Sequence, residues 1–482
     1  MIPMFAKGFA DLEREVAVET LPVTGAIPSW LSGALLRTGP AKFDLGRQTL
    51  NHWFDGLAML HRFAFNDGQV AYANRFVRSA NYREQRRTGR LSRGEFASDP
   101  CRTLFGRVLS KFVSKPTDNC NVSVNALGQS SVAMTETTLP VRFDPETLET
   151  LGHYKYGPEI GGQLSIAHPH HDTVRRCQFS YVVEFGRQSR YRLFRVSDED
   201  STPAVVAELP VDRPAYMHSF AMTERYLVLV EFPLVVSPLR LLLSGEPFIR
   251  NYRWEPQRGL RFQIVEKDSG RRIATAESDA AFAFHHVNAY ERGDELVLDL
   301  VTYSDAGIID QLYLSRLRTG EPVDAVGSLS RYVVPLDATK HSAQKHQIAT
   351  TAIELPRIDY GRVAGRPYRA VWGTGNRQRG NFLDSLVRID VETGDSSEWM
   401  EPGCYPGEPV FVAAPDGSDE EEGLLLSVVL EAQREKSFLL VLDASRMTEI
   451  ARAECPHPIP FGFHGNFFPA SNGRLSVRNV HR

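Results

Sequence analysis

The stretch Phe284-His285-His286-Val287-Asn288-Ala289-Tyr290-Glu291 is followed almost at once by the apolar run ELVLDLVTY at residues 295–303. Such a run is typical of a β-strand, and the Glu-Arg-Gly-Asp sequence at 291–294 is typical of the turn that precedes it. Two histidines between aromatic residues and beside a strand predict the rim of a buried site. Because a buried histidine bound only by backbone atoms is the commoner arrangement, this stretch does not identify a site on its own.

The same alternation of short apolar runs and turns recurs along the whole chain. Examples of the runs are FSYVVEF (179–185), YLVLVE (226–231), QLYLS (311–315), SLVRID (385–390), GLLLSVVL (423–430) and FLLVLD (438–443). Turn sequences such as Asn66-Asp67-Gly68 separate them. Many strands without a sustained helical period predict a closed all-β architecture such as a propeller. Without a WD or kelch repeat, the pattern does not give the number of blades.

Only a few short helices are expected, at residues 11–20, 80–87 and 101–112. At 482 residues the chain is longer than a usual single compact core. However, no low-complexity linker interrupts it, so we predict one domain that comprises residues 1–482.

Composition and charge narrow the class of protein. The apolar content is 42% and the charged content is 24%, as in ordinary globular enzymes. A net charge of -4 predicts no nucleic-acid partner. The five cysteines are Cys101, Cys120, Cys177, Cys404 and Cys455. They are far apart and odd in number, which indicates a reducing compartment and no cysteine-based zinc site.

A cytoplasmic location is expected, because no signal peptide is visible at the N-terminus. The longest apolar run, residues 226–243, contains Glu231, Pro233, Pro238 and Arg240. These residues exclude a membrane-spanning helix, so the protein is expected at most to touch a membrane surface.

Three other segments present a histidine in the same manner as His285. They are AHP around His168, MHS around His218 and FHG around His464. We hypothesise that these four imidazoles, from four separate strands, converge on one metal ion. Imidazole suits zinc, copper, iron and nickel, and catalytic zinc mostly has three protein ligands, so the metal stays open at this point.

Three glutamates in apolar surroundings are candidates for holding those histidines in place. They are Glu136, Glu354 and Glu408. A metal-bound histidine needs a hydrogen-bond acceptor on its other ring nitrogen, and a carboxylate supplies one. The alternative for each glutamate is a carboxylate at a strand end in a surface ion pair. The residues alone therefore predict an all-β metalloprotein whose metal is unidentified.

A series of short motifs along nearly the whole chain resembles the carotenoid cleavage oxygenase family. In order they are LSGALLRTGP (31–40), HWFDG (52–56), TET (135–137), FDPETL (143–148), AHP (167–169), HSF (218–220), FH (284–285), NA (288–289), ELP (354–356), YPGEP (405–409), ARAE (451–454) and FHG (463–465). Each motif is weak alone, but so many in this order are specific to the family.

The resemblance implies a seven-bladed β-propeller with a few short helices capping the face that carries an Fe(II) site. The positions that match the iron ligands are His168, His218, His285 and His464. The glutamates that would hold three of the rings match Glu136, Glu354 and Glu408, and Thr135 matches a threonine beside the open coordination position. His170, His171 and His286 match no ligand position and are expected to be structural or to line a tunnel.

The implied reaction is the O₂-dependent scission of one carbon-carbon double bond of a conjugated polyene. Family members that cleave stilbenes have a lysine where this chain has Thr135, which argues against a phenolic substrate. The stretch SDPCR at 98–102 is similar to animal carotene oxygenases and to the retinoid isomerase. We therefore expect cleavage of a carotenoid or apocarotenoid at the central 15,15′ bond to retinal-type aldehydes. Stilbene-type cleavage and non-oxidative retinoid isomerohydrolysis are the alternatives within the family.

Two further hypotheses place the chain in other functional classes, and a third concerns the membrane. The chain could be a non-catalytic propeller that binds a ligand, or a zinc hydrolase that uses other ligands. The apolar segment 232–243 could pack in the core, or it could dip into a bilayer beside the tunnel mouth and admit a water-insoluble polyene. The resemblance favours the second reading, since family members have such a patch near this position.

Overall fold

The structure, a computed structural model, describes residues 3–100, 116–337, 339, 341–378, 380–471 and 474–475. Seven antiparallel sheets follow one another along the chain and form the blades of a propeller. This arrangement confirms the all-β prediction, and the seven blades confirm what the family resemblance implied.

The strands of each blade are as follows. Blade 1 contains Ala17–Val18, Gln69–Phe76, Leu57–Asn66, Gly33–Lys42, Gly465–Ser471 and Arg474–Leu475. Blade 2 contains Ser123–Leu127, Ser130–Met134, Val141–Phe143 and Thr150–His153. Blade 3 contains Leu164–Ser165, His170–Asp172, Cys177–Glu184, Ser189–Ser197 and Pro203–Val211. Blade 4 contains Ala221–Met222, Tyr226–Glu231, Leu260–Glu266 and Arg272–Ser278.

The remaining elements complete the ring and its caps. Blade 5 contains His286–Arg292, Glu295–Thr302, Ser328–Pro335 and Gln344–Ala352. Blade 6 contains Glu354–Arg357, Ala370–Gly375, Ser385–Asp390 and Ser396–Trp399. Blade 7 contains Cys404–Pro406, Val410–Ala413, Gly423–Glu431, Lys436–Asp443, Thr448–Glu454 and Val23–Gly25. A separate hairpin pairs Leu234–Val235 with Arg253–Trp254. The α-helices are Ala80–Thr88, Pro238–Leu243, Gly307–Gln311, Leu314–Leu317 and Tyr360–Val363, and the 3₁₀ helices are Met4–Phe9, Trp53–Asp55, Phe248–Asn251 and Pro256–Arg258.

Strands from the two ends of the chain close the ring in two neighbouring blades. In blade 1 the late strand Gly465–Ser471 pairs with the early strand Gly33–Lys42. In blade 7 the early strand Val23–Gly25 pairs with the late strand Thr448–Glu454. A closed ring of blades leaves only short, protected sheet edges, which suits a chain so rich in apolar strands.

Apolar clusters between neighbouring blades form much of the core. Trp372 of blade 6, for example, is fully buried against Leu425 and Leu440 of blade 7. Its indole Nε1 donates a hydrogen bond to the carbonyl oxygen of Ala444 at 2.9 Å, so the ring is both packed and satisfied. This packing fixes each blade relative to the next.

The helix predictions were partly right. The helix at 80–87 is confirmed as Ala80–Thr88, with Ser79 as its N-cap. No helix forms at 11–20, where the backbone is extended and Ala17–Val18 pairs with blade 1. Asp11 there accepts a hydrogen bond from the backbone N–H of Phe43, which holds the segment against the sheet. The third predicted helix, 101–112, lies outside the described residues.

The strand predicted at residues 311–315 is wrong. The chain there forms two short helices, Gly307–Gln311 and Leu314–Leu317. The apolar residues Ile308 and Leu312 are four apart and both line the central cavity, so helical spacing and not alternation places them inward. In the part of the chain that the structure describes, every helix is too short or too polar to cross a bilayer.

Candidate metal centre

Each of the seven blades contributes one residue to a polar cluster at the propeller axis. Six of these residues begin the innermost strand of their blade or lie one to three residues before it. The seventh, Glu136, follows the strand Ser130–Met134, whose end pairs with the start of the innermost strand Ser123–Leu127. The innermost strands of several neighbouring blades contact one another around the axis, so their ends converge. In blade order the residues are His464, Glu136, His168, His218, His285, Glu354 and Glu408.

The four histidines face one another through their Nε2 atoms. The Nε2 atoms of His168 and His218 are 2.9 Å apart, and those of His285 and His464 are 3.1 Å apart. One ligand atom from each of the four histidines lies within 4.8 Å of the others. The structure therefore brings together the four side chains that the sequence singled out, in a group that could hold a metal ion.

Three of the imidazole rings are held from behind by the three glutamates. Nδ1 of His218 lies 2.5 Å from Oε1 of Glu136, and Nδ1 of His285 lies 2.6 Å from Oε2 of Glu354. Nδ1 of His464 lies 2.8 Å from Oε1 of Glu408. Because each carboxylate accepts a hydrogen bond from an Nδ1–H, the lone pair of each ring is left on Nε2, where it points toward the other rings.

The glutamates are themselves fixed by further hydrogen bonds. The Tyr216 hydroxyl donates to both oxygens of Glu136, at 2.9 and 3.1 Å, and the Tyr303 hydroxyl donates to Glu354 at 2.8 Å. The backbone N–H of Gly465 donates to Oε2 of Glu408 at 2.8 Å. Sequence reasoning missed both tyrosines; the only signal was that Tyr216 lies two residues before His218 and that Tyr303 ends a strand run.

Burial keeps the imidazoles of His168 and His464 neutral. It lowers the pKa values of His168 and His464 well below the ordinary histidine value, and the neighbouring imidazoles lower them further. A neutral ring has the free lone pair that a metal requires.

Burial favours a higher pKa for two of the carboxylates, but their net pKa shifts have opposite directions. For Glu354, burial favours a higher pKa, but the electrostatic interaction with His285 and the hydrogen bonds to the carboxylate outweigh burial and lower the pKa. For Glu408, burial raises the pKa, and the charges of Arg357 and Arg37 offset only part of that rise. The Arg357 guanidinium lies 3.7 Å from Glu408.

The donor set fits a metal ion of first-row size. Nitrogen ligands bind such ions as zinc at about 2.0–2.1 Å, and two of them that meet at right angles lie about 3 Å apart. The two closest Nε2–Nε2 distances, 2.9 and 3.1 Å, match this spacing. Buried lone pairs that face one another so closely are unfavourable unless a cation lies between them.

The three other histidines near the centre have structural roles. His170 bonds the hydroxyl of Tyr360 at 2.9 Å and the carbonyl of Phe220 at 2.8 Å. His171 bonds Asp198 at 2.8 Å, and His286 bonds the hydroxyl of Ser219 at 2.8 Å. None of the three lines the central cavity as the structure describes it.

A cavity of about 1380 Å³ opens onto the centre. Its wall includes His218, His285 and His464, and Thr135 is also part of it. Aromatic side chains form much of the rest of the wall, namely Trp53, Phe54, Phe96, Phe185, Phe248, Phe284, Tyr303, Phe382 and Phe463. Several short helices supply residues to this wall, which agrees with the expected helical cap. The cavity is large enough and apolar enough for a long hydrophobic ligand.

Comparison with known proteins places this centre in a family. Residues 9–469 match the family model described as Retinal pigment epithelial membrane protein. The chain belongs to this family. The mitochondrial carotenoid-cleaving dioxygenase of Macaca fascicularis is 33% identical, over 97% of this chain and 95% of the relative. The beta,beta-carotene 15,15′-dioxygenase of Gallus gallus is 31% identical, over 93% of this chain and 95% of the relative. The resemblance to carotenoid cleavage oxygenases is thereby confirmed.

A solved structure of the family has the same fold. A variant of the apocarotenoid oxygenase of Synechocystis aligns with a TM-score of 0.87 at 25% identity, covering 97% of this chain and 98% of that one. A cobalt-substituted form of the same oxygenase aligns with a TM-score of 0.86 at 25% identity and the same coverage. Members of this carotenoid oxygenase family thus share the seven-bladed frame that positions the four histidines here.

Replacing His464 by alanine should abolish stoichiometric metal binding. The change removes one of four nitrogens and leaves Glu408 without its imidazole partner. Metal content after anaerobic reconstitution with Fe(II), measured by mass spectrometry, should fall from one ion per chain to background. The exposed His341→Ala variant is the control and should load fully. A His464→Ala protein with a full complement of iron would show that the ligand set is wrong.

Replacing Glu408 by glutamine should weaken metal binding on the order of 10–100-fold. The amide keeps the size of the carboxylate but removes the charge that orients and polarises His464. Affinity can be measured by competition with a chelator of known strength. The control is Glu398→Gln, which removes an exposed carboxylate paired with Arg377. Equal affinities in the two variants would contradict the assigned role of Glu408.

Proposed function

We propose that this protein is a non-haem Fe(II) oxygenase that uses O₂ to cleave a carbon-carbon double bond of a carotenoid or apocarotenoid. The products would be retinal-type aldehydes formed at the central 15,15′ bond. The observation that carries the proposal is the cluster of four imidazoles, braced by carboxylates, at the wall of a large aromatic cavity. Two relatives, one named a carotenoid-cleaving dioxygenase and the other a beta,beta-carotene 15,15′-dioxygenase, align with more than nine-tenths of the chain.

In this proposal His168, His218, His285 and His464 hold the iron, one ion per chain. Bound there, the iron supplies the one-electron chemistry that O₂ needs in order to react with a polyene. Four neutral ligands occupy only part of its coordination shell, which leaves room for a small co-substrate. The carboxylates of Glu136, Glu354 and Glu408 offset the charge of the ion and fix three rings.

The chain's own residues position the substrate and exclude water. Phe54 packs against Phe284 and Phe463 with ring centroids 5.8 and 5.1 Å apart. Phe284 in turn contacts His218 with centroids 5.6 Å apart, so aromatic faces lead up to the centre. A flat conjugated chain can stack on such faces. The Thr135 side chain is part of the same wall, where its methyl group would restrict access to the metal.

One residue favours a carotenoid over a phenolic substrate. Thr135 has no positive charge with which to bind a phenolate, unlike the lysine expected in stilbene-cleaving relatives. The choice of the central bond is supported by the name of the Gallus gallus relative, a beta,beta-carotene 15,15′-dioxygenase at 31% identity.

A single catalytic domain comprising residues 1–482 is part of the same proposal.

Membrane contact is proposed for only part of the segment 232–243. Phe232, Leu234, Val235 and Val236 are buried in the core, so this half follows the packing alternative. The helix Pro238–Leu243 is different, because Leu239, Leu242 and Leu243 are 64%, 54% and 56% exposed. Since Leu239 and Leu242 also line the cavity, the helix could touch a bilayer where the polyene enters. The protein would then be cytoplasmic and peripheral at the membrane.

Parallel incubations test the reaction. The anaerobically reconstituted protein should convert β-carotene or an apocarotenal to retinal-type aldehydes with consumption of O₂, and should leave a stilbene unchanged. Removal of the metal by a chelator should stop turnover, and Fe(II) but not Zn(II) should restore it. Products can be identified by chromatography and mass spectrometry. Cleavage of stilbene alone, conversion without O₂ or full activity with zinc would each refute the proposal.

Replacing Leu239 and Leu242 together by serine should release the protein from membranes. The change removes two exposed apolar side chains from the cavity mouth and leaves the buried half of the segment intact. Co-sedimentation with phospholipid vesicles measures the bound fraction, which should fall severalfold. Val174, 79% exposed and absent from the cavity wall, provides the matched control Val174→Ser. Unchanged sedimentation of the double variant would contradict a membrane role for this helix.

A further inference from the structure

A buried carboxyl group with one unengaged oxygen lies in the wall of the cavity. Glu95 is only 6% exposed and is part of the cavity wall. Both side-chain donors that reach it, Asn81 Nδ2 and Thr117 Oγ1, bind the same atom, Oε1, and the Thr117 contact is 2.8 Å. Within the described residues, Oε2 has no hydrogen-bond partner in the protein.

Two neighbouring carboxylates differ from Glu95 in this respect. Asp55 and Asp118 are also buried, at 0% and 1% exposure. Oδ1 of Asp55 accepts from the backbone of Ala97 at 2.8 Å, and Oδ2 accepts from the Ser98 hydroxyl at 2.7 Å. The two oxygens of Asp118 accept from the Ala80 backbone at 2.9 and 3.1 Å. Both oxygens of each aspartate therefore have a structural role, whereas Oε2 of Glu95 does not.

Glu95 lies between the aromatic wall and the segment that carries Glu136. The next residue, Phe96, packs on Phe54 with ring centroids 5.1 Å apart. On the other side, the carbonyl of Thr117 accepts a hydrogen bond from the Thr137 hydroxyl at 2.7 Å, next to Glu136. A polyene stacked along the aromatic faces would thus pass close to the Glu95 carboxyl group.

We propose that Glu95 determines substrate specificity by forming a hydrogen bond, through Oε2, to the hydroxyl or carbonyl oxygen of an oxygenated carotenoid or apocarotenoid. This inference rests on the proposed function and specifies its substrate class. A pure hydrocarbon would cover Oε2 with apolar atoms and leave it without a partner, which is unfavourable. An oxygenated polyene would replace the lost water with a hydrogen bond, and sites of this kind discriminate against analogues that lack the polar group.

The protonation state of Glu95 suits this role. Burial and the negative charges of Asp55 and Asp118 raise its pKa well above the ordinary value for a glutamate. A neutral carboxylic acid has one O–H to donate to a carbonyl and can also accept from a hydroxyl group. It also avoids placing a bare negative charge beside an apolar polyene.

The test compares β-carotene with a hydroxylated carotenoid of the same polyene length. The wild-type enzyme should have the higher kcat/KM for the hydroxylated substrate. Glu95→Leu should lower that value about tenfold, as expected for a lost hydrogen bond, and should leave the value for β-carotene unchanged or raised. Glu95→Gln should keep the preference, because its amide still satisfies Asn81 and Thr117 and can still donate to the substrate.

The results distinguish a failure of this inference from a failure of the proposed function and from a purely structural role of Glu95. Equal preference in wild type and Glu95→Leu, equal losses on both substrates, or a Glu95→Gln enzyme that favours β-carotene would overturn the inference. A wild-type protein that cleaves neither polyene would overturn the proposed function instead. Binding would then still test Glu95, because Trp53 lines the cavity and its fluorescence should be quenched by a bound polyene. Glu95→Leu should in that case bind the hydroxylated polyene about tenfold more weakly than the wild type does.

Discussion

The convergence of four imidazoles on one axis is the constraint on which the rest of the structure depends. Their Nε2 atoms lie as close as 2.9 and 3.1 Å, so their lone pairs are compatible only with a positive charge between them. A single strand or helix could not supply four rings from four directions. A ring of blades can, because each blade brings one residue to the axis. The fold and the centre are therefore two aspects of the same geometry.

The centre is buried, and its polar groups are stable there because they are satisfied in layers. The rings of His218 and His285 bond Glu136 and Glu354, and those carboxylates bond Tyr216 and Tyr303. Each tyrosine presents its hydroxyl to the centre and its ring to the apolar core. This arrangement joins a highly polar site to hydrophobic packing and gives both carboxylates hydrogen-bond donors. Hydrogen bonds are stronger in such an environment than in water, so the rings are held rigidly before any metal binds.

The sequence predicted the strands and the candidate site residues better than it predicted which of those residues contact one another. The runs at 226–231 and 385–390 coincide with strands, because β-rich apolar runs bounded by turn residues have few alternatives. The four histidines and three glutamates do come together, although their functional roles stay a prediction. Which glutamate holds which histidine could not be read from the chain, since Glu136 and His218 are 82 residues apart. The short helices at 307–317 were missed because their apolar residues fit both periods, and the division of 232–243 into a buried and an exposed half depends on tertiary packing.

Selectivity among polyenes cannot originate in the metal centre itself. Four identical donors and three identical carboxylates cannot distinguish the chemical groups at the distant ends of a substrate. Proteins similar to this chain have names that specify different substrates, apocarotenoids in one case and beta,beta-carotene in another. The differences must therefore lie in the cavity wall, which loops and short helices form with less geometric constraint than the axis. A wall residue that combines a structural oxygen with an unengaged one, as Glu95 does, can change substrate preference without disturbing the frame. Such a division separates the residues that would set substrate preference from those that form the axial site.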